Sequence, residues 1–283
     1  MTGIRGKAGM DSRYTVKQAL NKCEADIAGV AAESACFEAR ELVMKALGLR
    51  SRAELIKMLP SSMSHAQLDK LEGLALRRQN GEPLQYIIGE WEFMGLSFKT
   101  DKRALIPRQD TETLCEKAME LINKNGYRTL LDMCAGSGCI GISLAKLTGI
   151  ECTLADISEA ALSLCGENMR LNHTNARLIK TDLFENIAAS YDIIVCNPPY
   201  LNDEDMRLMQ KELEFEPENA LYGGRDGLDM YRRIAAQYHG HVNKNGAILL
   251  EVGIRQAQAV AGLFGTDEIV KDLNGIDRVV IKR

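Results

Sequence analysis

LLDMCAGSGCIGISLAKL, residues 130–147, decides the architecture. An apolar run of strand character ends around Asp132, breaks at a turn of small residues and resumes as a helical pattern. Gly136, Gly138 and Gly141 spell G-x-G-x-x-G across that turn. Glycines there permit a tight bend and let a nucleotide approach the backbone. Alone the motif is weak. Asp156, twenty residues past Gly136 at the end of the next apolar run, is positioned to bind a ribose hydroxyl pair, and an NAD enzyme would look much the same.

Outward from this turn, short apolar strands alternate with helical stretches: RTLLDM (128–133), ECTLAD (151–156), RLIKTD (177–182), DIIVCN (192–197), AILLEV (247–252) and RVVIKR (278–283). The alternation predicts an α/β domain built on a parallel sheet covered on both faces, with ligands at the carboxyl ends of the strands. Upstream the texture is helical from Tyr14 to about Asn80. Leu68, Leu71, Leu74 and Leu76 form one apolar stripe, Ser64 is a candidate N-cap, and Glu33 to Leu47 reads as another helix. QYIIGEWEFMGLSFKT (85–100), aromatic and β-branched and broken by Gly89 and Gly95, suggests a hairpin. The expected organisation is a small all-α domain over 1–84, a β-hairpin linker over 85–110 and the α/β domain over 111–283.

Composition narrows the partners. The 283 residues are 46% hydrophobic and 26% charged, with a net charge of −4. Residues 1–80 carry +4 and the remainder −8, so the α/β part lacks the basic footprint of a non-specific nucleic-acid binder. The positive front segment hints at an acidic partner, and a solvated helical face explains it equally well. No apolar run approaches a membrane span, and MTGIRGKAGMDSRY lacks the core of a secretory signal, so a cytoplasmic location and no membrane contact are expected. The eight cysteines form no CxxC pair and read as reduced small hydrophobes. No metal site is expected from them or from His65, His173, His239 and His241.

Two features favour S-adenosylmethionine over a dinucleotide. A carboxylate at Asp132, four residues before the first glycine, would oppose a pyrophosphate but suits a ligand with sulfonium and ammonium groups. The second feature is Asn197-Pro198-Pro199-Tyr200, which ends a later strand and so shares the rim with the glycine loop. Its prolines stiffen the backbone. The Asn197 side-chain oxygen and the Pro198 carbonyl can then converge on a planar NH2 group, with the Tyr200 ring laid over it. Such a nitrogen, in a base amine or a side-chain amide, is a poor nucleophile; holding both hydrogens orients its lone pair toward a donor methyl, so that positioning does most of the work. The rival account, a rigid turn at a strand end, loses force because the tetrapeptide follows an alternating sheet, sixty-five residues after Asp132.

Eight blocks in order now resemble one family: GEPLQYIIGEWEFMGLSF (81–98), ALIPRQDTETL (104–114), LLDMCAGSGCIGISLA (130–145), ADISEAAL (155–162), VCNPPY (195–200), GGRDGLDMYRRI (223–234), LLEVG (249–253) and GIDRVVIKR (275–283). The chain resembles the bacterial peptide chain release factor glutamine methyltransferases, which modify the glutamine of a Gly-Gly-Gln loop. That resemblance implies a Rossmann-like class I S-adenosylmethionine-dependent methyltransferase sheet with a small helical N-terminal domain that helps engage the release factor. It also implies a cofactor loop at Cys134, Ala135, Gly136, Ser137 and Gly138, with Asp132 before it; a ribose acid at Asp156; an adenine edge at Asp182 and Leu183; and a cofactor-side contact from Arg108. The substrate clamp would be Asn197, Pro198, Pro199 and Tyr200, with Asn197 also against the cofactor methyl.

Three departures from the family pattern stand out. Cys134 and Ala135 stand where Gly and Thr are usual, Gln109 replaces a proline after Pro107-Arg108, and Leu183 replaces a tryptophan at the adenine edge. The last removes a stacking contribution of ~1 kcal/mol, so weaker cofactor binding is expected. GGRDGLDMYRRI reads either as a flexible loop over the site, with Asp229 as a helix cap, or as a turn feeding a helix; Arg225 and Asp226 have no role. Met10 is an alternative start, because the resemblance weakens before it. Oligomeric state is not legible, and a monomer is the default. The rivals are an adenine amine methyltransferase acting on nucleic acid, an NAD-dependent dehydrogenase, and a silent adaptor for release factors. The first demands a strand-tracking basic groove and the second a positioned His or Tyr/Lys pair; neither stands out.

Overall fold

Successive residues of the central strands fall alternately into two apolar clusters: Leu130, Ile193, Val195, Leu249, Val279 and Ile281 belong to one, and Leu131, Met133, Ile194, Cys196, Ile248, Leu250 and Val280 to the other. Side chains of successive strand residues point to opposite faces, so continuous apolar runs of this kind require cover on both sides. The computed structural model supplies that cover and describes residues 14–209 and 211–283. The alternative starts, Met1 and Met10, lie outside the described residues. The chain divides into a first unit ending at Ile88 and a second, Gly89–Arg283.

The first unit is helical: α1 (Val16–Ala31), α2 (Ala35–Leu47), α3 (Arg52–Met58), α4 (His65–Gln79) and α5 (Leu84–Ile88). Thr15 with Gln18, and Ser64 with Gln67, form reciprocal capping boxes that open α1 and α4 by satisfying otherwise unpaired backbone N–H groups. Leu68, Leu71 and Leu74 are buried, whereas Leu76 is 57% exposed: the stripe continues through Ala75 and Arg78, and Arg78 is buried by pairing with Glu38 of α2. Residues 85–88, expected to open the hairpin segment, are helical.

The second unit begins with a hairpin, β1 (Glu90–Phe93) and β2 (Leu96–Lys99), whose Phe93 and Phe98 are buried in the first apolar cluster. There follow α6 (Glu112–Asn125), β3 (Thr129–Met133), α7 (Cys139–Thr148), β4 (Glu151–Asp156), α8 (Glu159–Leu171), β5 (Ala176–Lys180), β6 (Tyr191–Cys196), α9 (Asp203–Leu208), α10 (Asp229–Gln237), β7 (Val242–Glu251), α11 (Ala257–Phe264), β8 (Glu268–Lys271) and β9 (Asp277–Lys282). The seven-stranded sheet has the order β5-β4-β3-β6-β7-β9-β8. Strands β3 to β7 pair in parallel, but β9 runs antiparallel between β7 and β8. The expected parallel sheet is thus present from β5 to β7 and carries an antiparallel end. A turn at Asp272–Gly275, where Asp272 Oδ1 accepts from the backbone N–H of Asn274 and Ile276, folds the chain back on itself, and a short edge strand needs no long apolar run. No helix among the described residues is long and apolar enough to cross a membrane.

The G-x-G-x-x-G turn shows why its third glycine is needed. A Cβ on Gly141 would lie 2.3 Å from Leu154 Cδ2 and 2.9 Å from Asp132 Cβ, because α7 lies directly on β3 and β4. Gly141→Ala gains ~1 kcal/mol of helix propensity but overpacks a fully buried contact, at about 1–3 kcal/mol. We expect a net lowering of the midpoint in thermal unfolding, and a variant as stable as the parent would show that α7 can lift off the sheet.

Candidate active site

Because β3, β4 and β6 end level, with Met133 opposite both Ala155 and Cys196, the loops that follow them open onto one rim. There they enclose a cavity of about 770 Å³, lined by residues from the 103–111, 133–140, 156–161, 181–183, 197–199 and 217–233 segments. Of the residues singled out in the sequence, Arg108, Cys134, Ala135, Gly136, Ser137, Asp156, Asp182, Leu183, Asn197 and Pro199 line it. Asp132, Gly138, Pro198 and Tyr200 do not.

The glycine loop is held from below and behind. Asp156 Oδ2 accepts from the Gly136 N–H at 2.8 Å and its Oδ1 from the Ser158 N–H at 2.8 Å, so the carboxylate on the cavity wall also shapes the loop. Burial raises its pKa above the ordinary value, against the lowering effect of these donors. Asn168 of α8, fully buried, donates to the Ser137 carbonyl at 2.9 Å and accepts from the Lys99 N–H at 2.7 Å, tying the loop to β2. Cys134 adopts φ +61°, a conformation in which an L side chain is uncommon, and Gly136 and Gly138 are also left-handed. A Cβ at Gly136 would find only Ala104 Cβ, at 3.9 Å, and so would project into open cavity; one at Gly138 would strike Cys165 Sγ and Ile142 Cδ1 at 2.8 Å.

Asp132 sits under this loop, fully buried, rather than facing a ligand as expected. Its Oδ2 accepts from the Gly141 N–H at 2.8 Å while Oδ1 has no partner, and burial pushes its pKa up to about 7. Its charge therefore reaches the cavity only through the loop. Tyr200, expected over the substrate, is not among the residues that line the cavity: its ring packs toward Gly253, where a Cβ would approach Cδ2 to 2.9 Å, and burial raises the phenol pKa to about 12. The side chain of Asn197 makes no hydrogen bond to the described residues and is open to a ligand.

Two pairings and one apolar residue at the walls were not legible in the sequence. Arg108 pairs with Glu216, whose other oxygen accepts from the Ile106 N–H at 2.9 Å, so the 104–111 loop is anchored by a residue over a hundred positions away. Arg233 of α10 pairs with Asp182 at 2.8 Å. Ile157, apolar yet 55% exposed, lines the cavity beside Asp156; its position directly after the expected ribose acid was the available signal. The GGRDG turn is packed rather than free, since a Cβ on Gly223 would meet the Pro199 carbonyl at 2.6 Å and one on Gly224 would meet Asp229 Oδ2 at 2.0 Å. Asp226 pairs with Arg232; Asp229 opens α10 at its first residue, without a side-chain cap bond.

A glycine loop and a strand-end acid on one rim of a largely parallel sheet suit a nucleotide-containing cofactor, and comparison with known proteins places the fold among the class I methyltransferases. Among solved structures, the hMettl16 catalytic domain in complex with MAT2A 3'UTR hairpin 6 shares the fold, with a TM-score of 0.53 and 13% identity, over 76% of this chain and 80% of that one. A methyltransferase from Pyrococcus furiosus does so with a TM-score of 0.50 and 15% identity, over 66% and 88%. Residues 112–218 match the Methyltransferase small domain and residues 18–89 the PrmC N-terminal domain. A release factor glutamine methyltransferase of Geobacter sulfurreducens is 36% identical over 94% of this chain and 96% of its own length, and one of Lactococcus lactis subsp. lactis is 36% identical over 85% and 92%. The chain belongs to the release factor glutamine methyltransferase family, and its methyl donor is S-adenosylmethionine.

The residues fit that group. The loop at Gly136 leaves the room a side chain would take, Asp156 supplies acceptors on the same wall, and Ile157 and Leu183 supply apolar surface for a planar base. Bound there, S-adenosylmethionine supplies a methyl group on a positively charged sulfur.

Two measurements check this geometry. Asp156→Ala should lower cofactor affinity about tenfold or more by calorimetry, since it removes hydrogen bonds to a charged acceptor and loosens the loop; unchanged affinity would displace Asp156 from the binding wall. Asp132 favours its protonated form in the fold, so the stability it contributes is complete below its ordinary value of 3.8 and is lost as pH rises through about 7. Between roughly pH 4 and pH 8 the melting temperature of Asp132→Asn should therefore fall less steeply than that of the parent; parallel curves would mean that the buried carboxyl does not titrate in that window.

Proposed function

We propose that this protein transfers the methyl group of S-adenosylmethionine to the side-chain amide nitrogen of the glutamine in the Gly-Gly-Gln motif of peptide chain release factors. One observation carries the reading: Asn197 and Pro199 stand on the wall of the cavity whose other wall is the glycine loop with Asp156. In this reading the Asn197 side-chain oxygen and the Pro198 carbonyl hold the two amide hydrogens, and the surrounding walls keep water from the nitrogen. Tyr200 acts by packing behind the turn. The helical domain, residues 1–84, helps engage the protein substrate; the 85–110 hairpin segment leads into the methyltransferase domain, 111–283. The location is cytoplasmic.

A protein rather than a nucleic-acid acceptor is supported by charge. Asp203, Glu204 and Asp205 open α9, and the exposed Glu218 lies on the cavity wall, whereas a flipped base would arrive on a polyanion needing Lys and Arg along its path.

Incubation with labelled cofactor and a purified release factor, beside a version whose loop glutamine is changed to alanine, tests the acceptor. Label is expected on the first alone, and label on both would place the methyl elsewhere. Asn197→Ala should cut kcat by about a hundredfold or more while cofactor affinity stays within a few fold, because the lost acceptor serves the reacting amide. Full turnover by this variant would sink the two-acceptor reading.

A further inference from the structure

The stiffness of two prolines does not fix where their turn points; something must hold it from outside. Two segments distant in sequence converge behind Tyr200: the GGRDG turn, and the loop between β7 and α11 that carries Gly253 and Gln256. The side chain of Gln256 reaches all of them. Its Nε2 donates to the Tyr200 carbonyl at 2.9 Å and toward the Gly227 carbonyl at 3.4 Å, while its Oε1 accepts from the Gly253 N–H at 3.0 Å. A primary amide alone among the common side chains of this length offers donors and an acceptor at one tip.

The glycines around it show how closely the backbones are drawn together. A Cβ at Gly227, where φ is +72°, would lie 2.3 Å from the Tyr200 carbonyl oxygen and 2.5 Å from Gln256 Nε2. One at Gly253 would lie 2.8 Å from Gln256 Oε1, and one at Gly223 would lie 2.6 Å from the Pro199 carbonyl oxygen and 2.7 Å from Tyr200 Cα. The turn is held on its other side by a backbone pair, Leu201 N–H to the Leu221 carbonyl at 2.9 Å and Gly223 N–H to the Leu201 carbonyl at 2.8 Å. Gln256 does not itself line the cavity.

We propose that Gln256 is a positioning residue for methyl transfer: by gripping the Tyr200 carbonyl, Gly227 and Gly253 together, it sets the height and tilt of the Asn197–Pro198 acceptors without touching the substrate. The proposal rests on the reading of Asn197 and Pro198 as the amide-holding pair. Misplacement of a positioned group by about an ångström costs up to about a hundredfold in rate, so releasing the turn should act on turnover and leave the cofactor wall intact.

Two variants test it in the full-length enzyme, with labelled cofactor and a purified release factor. Gln256→Glu keeps the acceptor for the Gly253 N–H but sets a carboxylate oxygen against the Tyr200 carbonyl; Gln256→Met keeps the length and removes all the bonds. Each is expected to lower kcat by about tenfold to a hundredfold, with the calorimetric cofactor Kd within about twofold of the parent and the thermal midpoint within a few degrees. Parental kcat in both variants would overturn the proposal. So would a loss of cofactor affinity or of folded protein in proportion to the activity lost, or failure of both variants to fold, because each would make Gln256 a stabilising residue only. Asn197→Ala, assayed in parallel, separates the two levels: if it too keeps full turnover the amide-holding reading itself fails, and if it alone is inactive only the role of Gln256 does.

Discussion

A polar pin at the amino ends of β3 and β6 sets the register on which the site depends. Asp192 Oδ2 accepts from the N–H groups of Arg128 and Thr129 at 2.8 and 3.1 Å, Thr129 Oγ1 accepts from the Asp192 N–H at 3.0 Å, and Asn243 of β7 donates to Asp192 Oδ1 at 2.8 Å. In a sheet with one wet face, the hydrophobic pattern itself forbids a one-residue slip. Here β3 and β6 are apolar on both faces, so a slip would still bury apolar side chains and the pattern discriminates weakly. The directional bonds at one end supply what the pattern lacks. From them the strands run side by side to Met133 and Cys196, and Cys134 and Asn197 emerge at the same height.

What could be read from the sequence was what is local in the chain. The glycine loop, Asp156, the NPPY turn and the strands that precede them depend on neighbours within a few residues, and the strand cores are long enough to show through. The antiparallel end was not legible because Glu268–Lys271 is short and only half-buried, so its apolar signal is slight. The hidden parts of the site are pairings between distant segments: Arg108 with Glu216, Asp182 with Arg233, Asn168 with Ser137 and Lys99, Gln256 with Tyr200. Each is an ordinary polar residue in an ordinary local context. Only the fold shows that it is a strut.

The same distinction explains why Asp132 and Tyr200 were assigned to the site yet stand behind it. Both lie within recognisable motifs, and a motif does not separate residues that touch a ligand from residues that shape the backbone touching it. Asp132 is spent on the Gly141 N–H, at the point where α7 presses onto β3, and the Tyr200 ring fills the space beside Gly253. A motif is in this sense a unit of backbone shape as much as a roster of contacts.

Charge in the cavity follows from these struts. Asp182 is matched by Arg233 and Glu216 by Arg108, so the acids beside Leu183 and the 104–111 loop are largely neutralised in place. Among the described residues Asp156 has no such cation; its oxygens are met by the backbone N–H groups of Gly136 and Ser158. Hydrogen bonds of that kind favour the ionised form without cancelling its charge. Of the acids on the described cavity wall, Asp156 therefore stays without a cation partner, beside the glycine loop, as does the exposed Glu218. In a partly enclosed site such a charge acts over several ångströms at reduced screening. It favours a ligand of net positive charge over a pyrophosphate, and that is the discrimination for which Asp132 had seemed responsible.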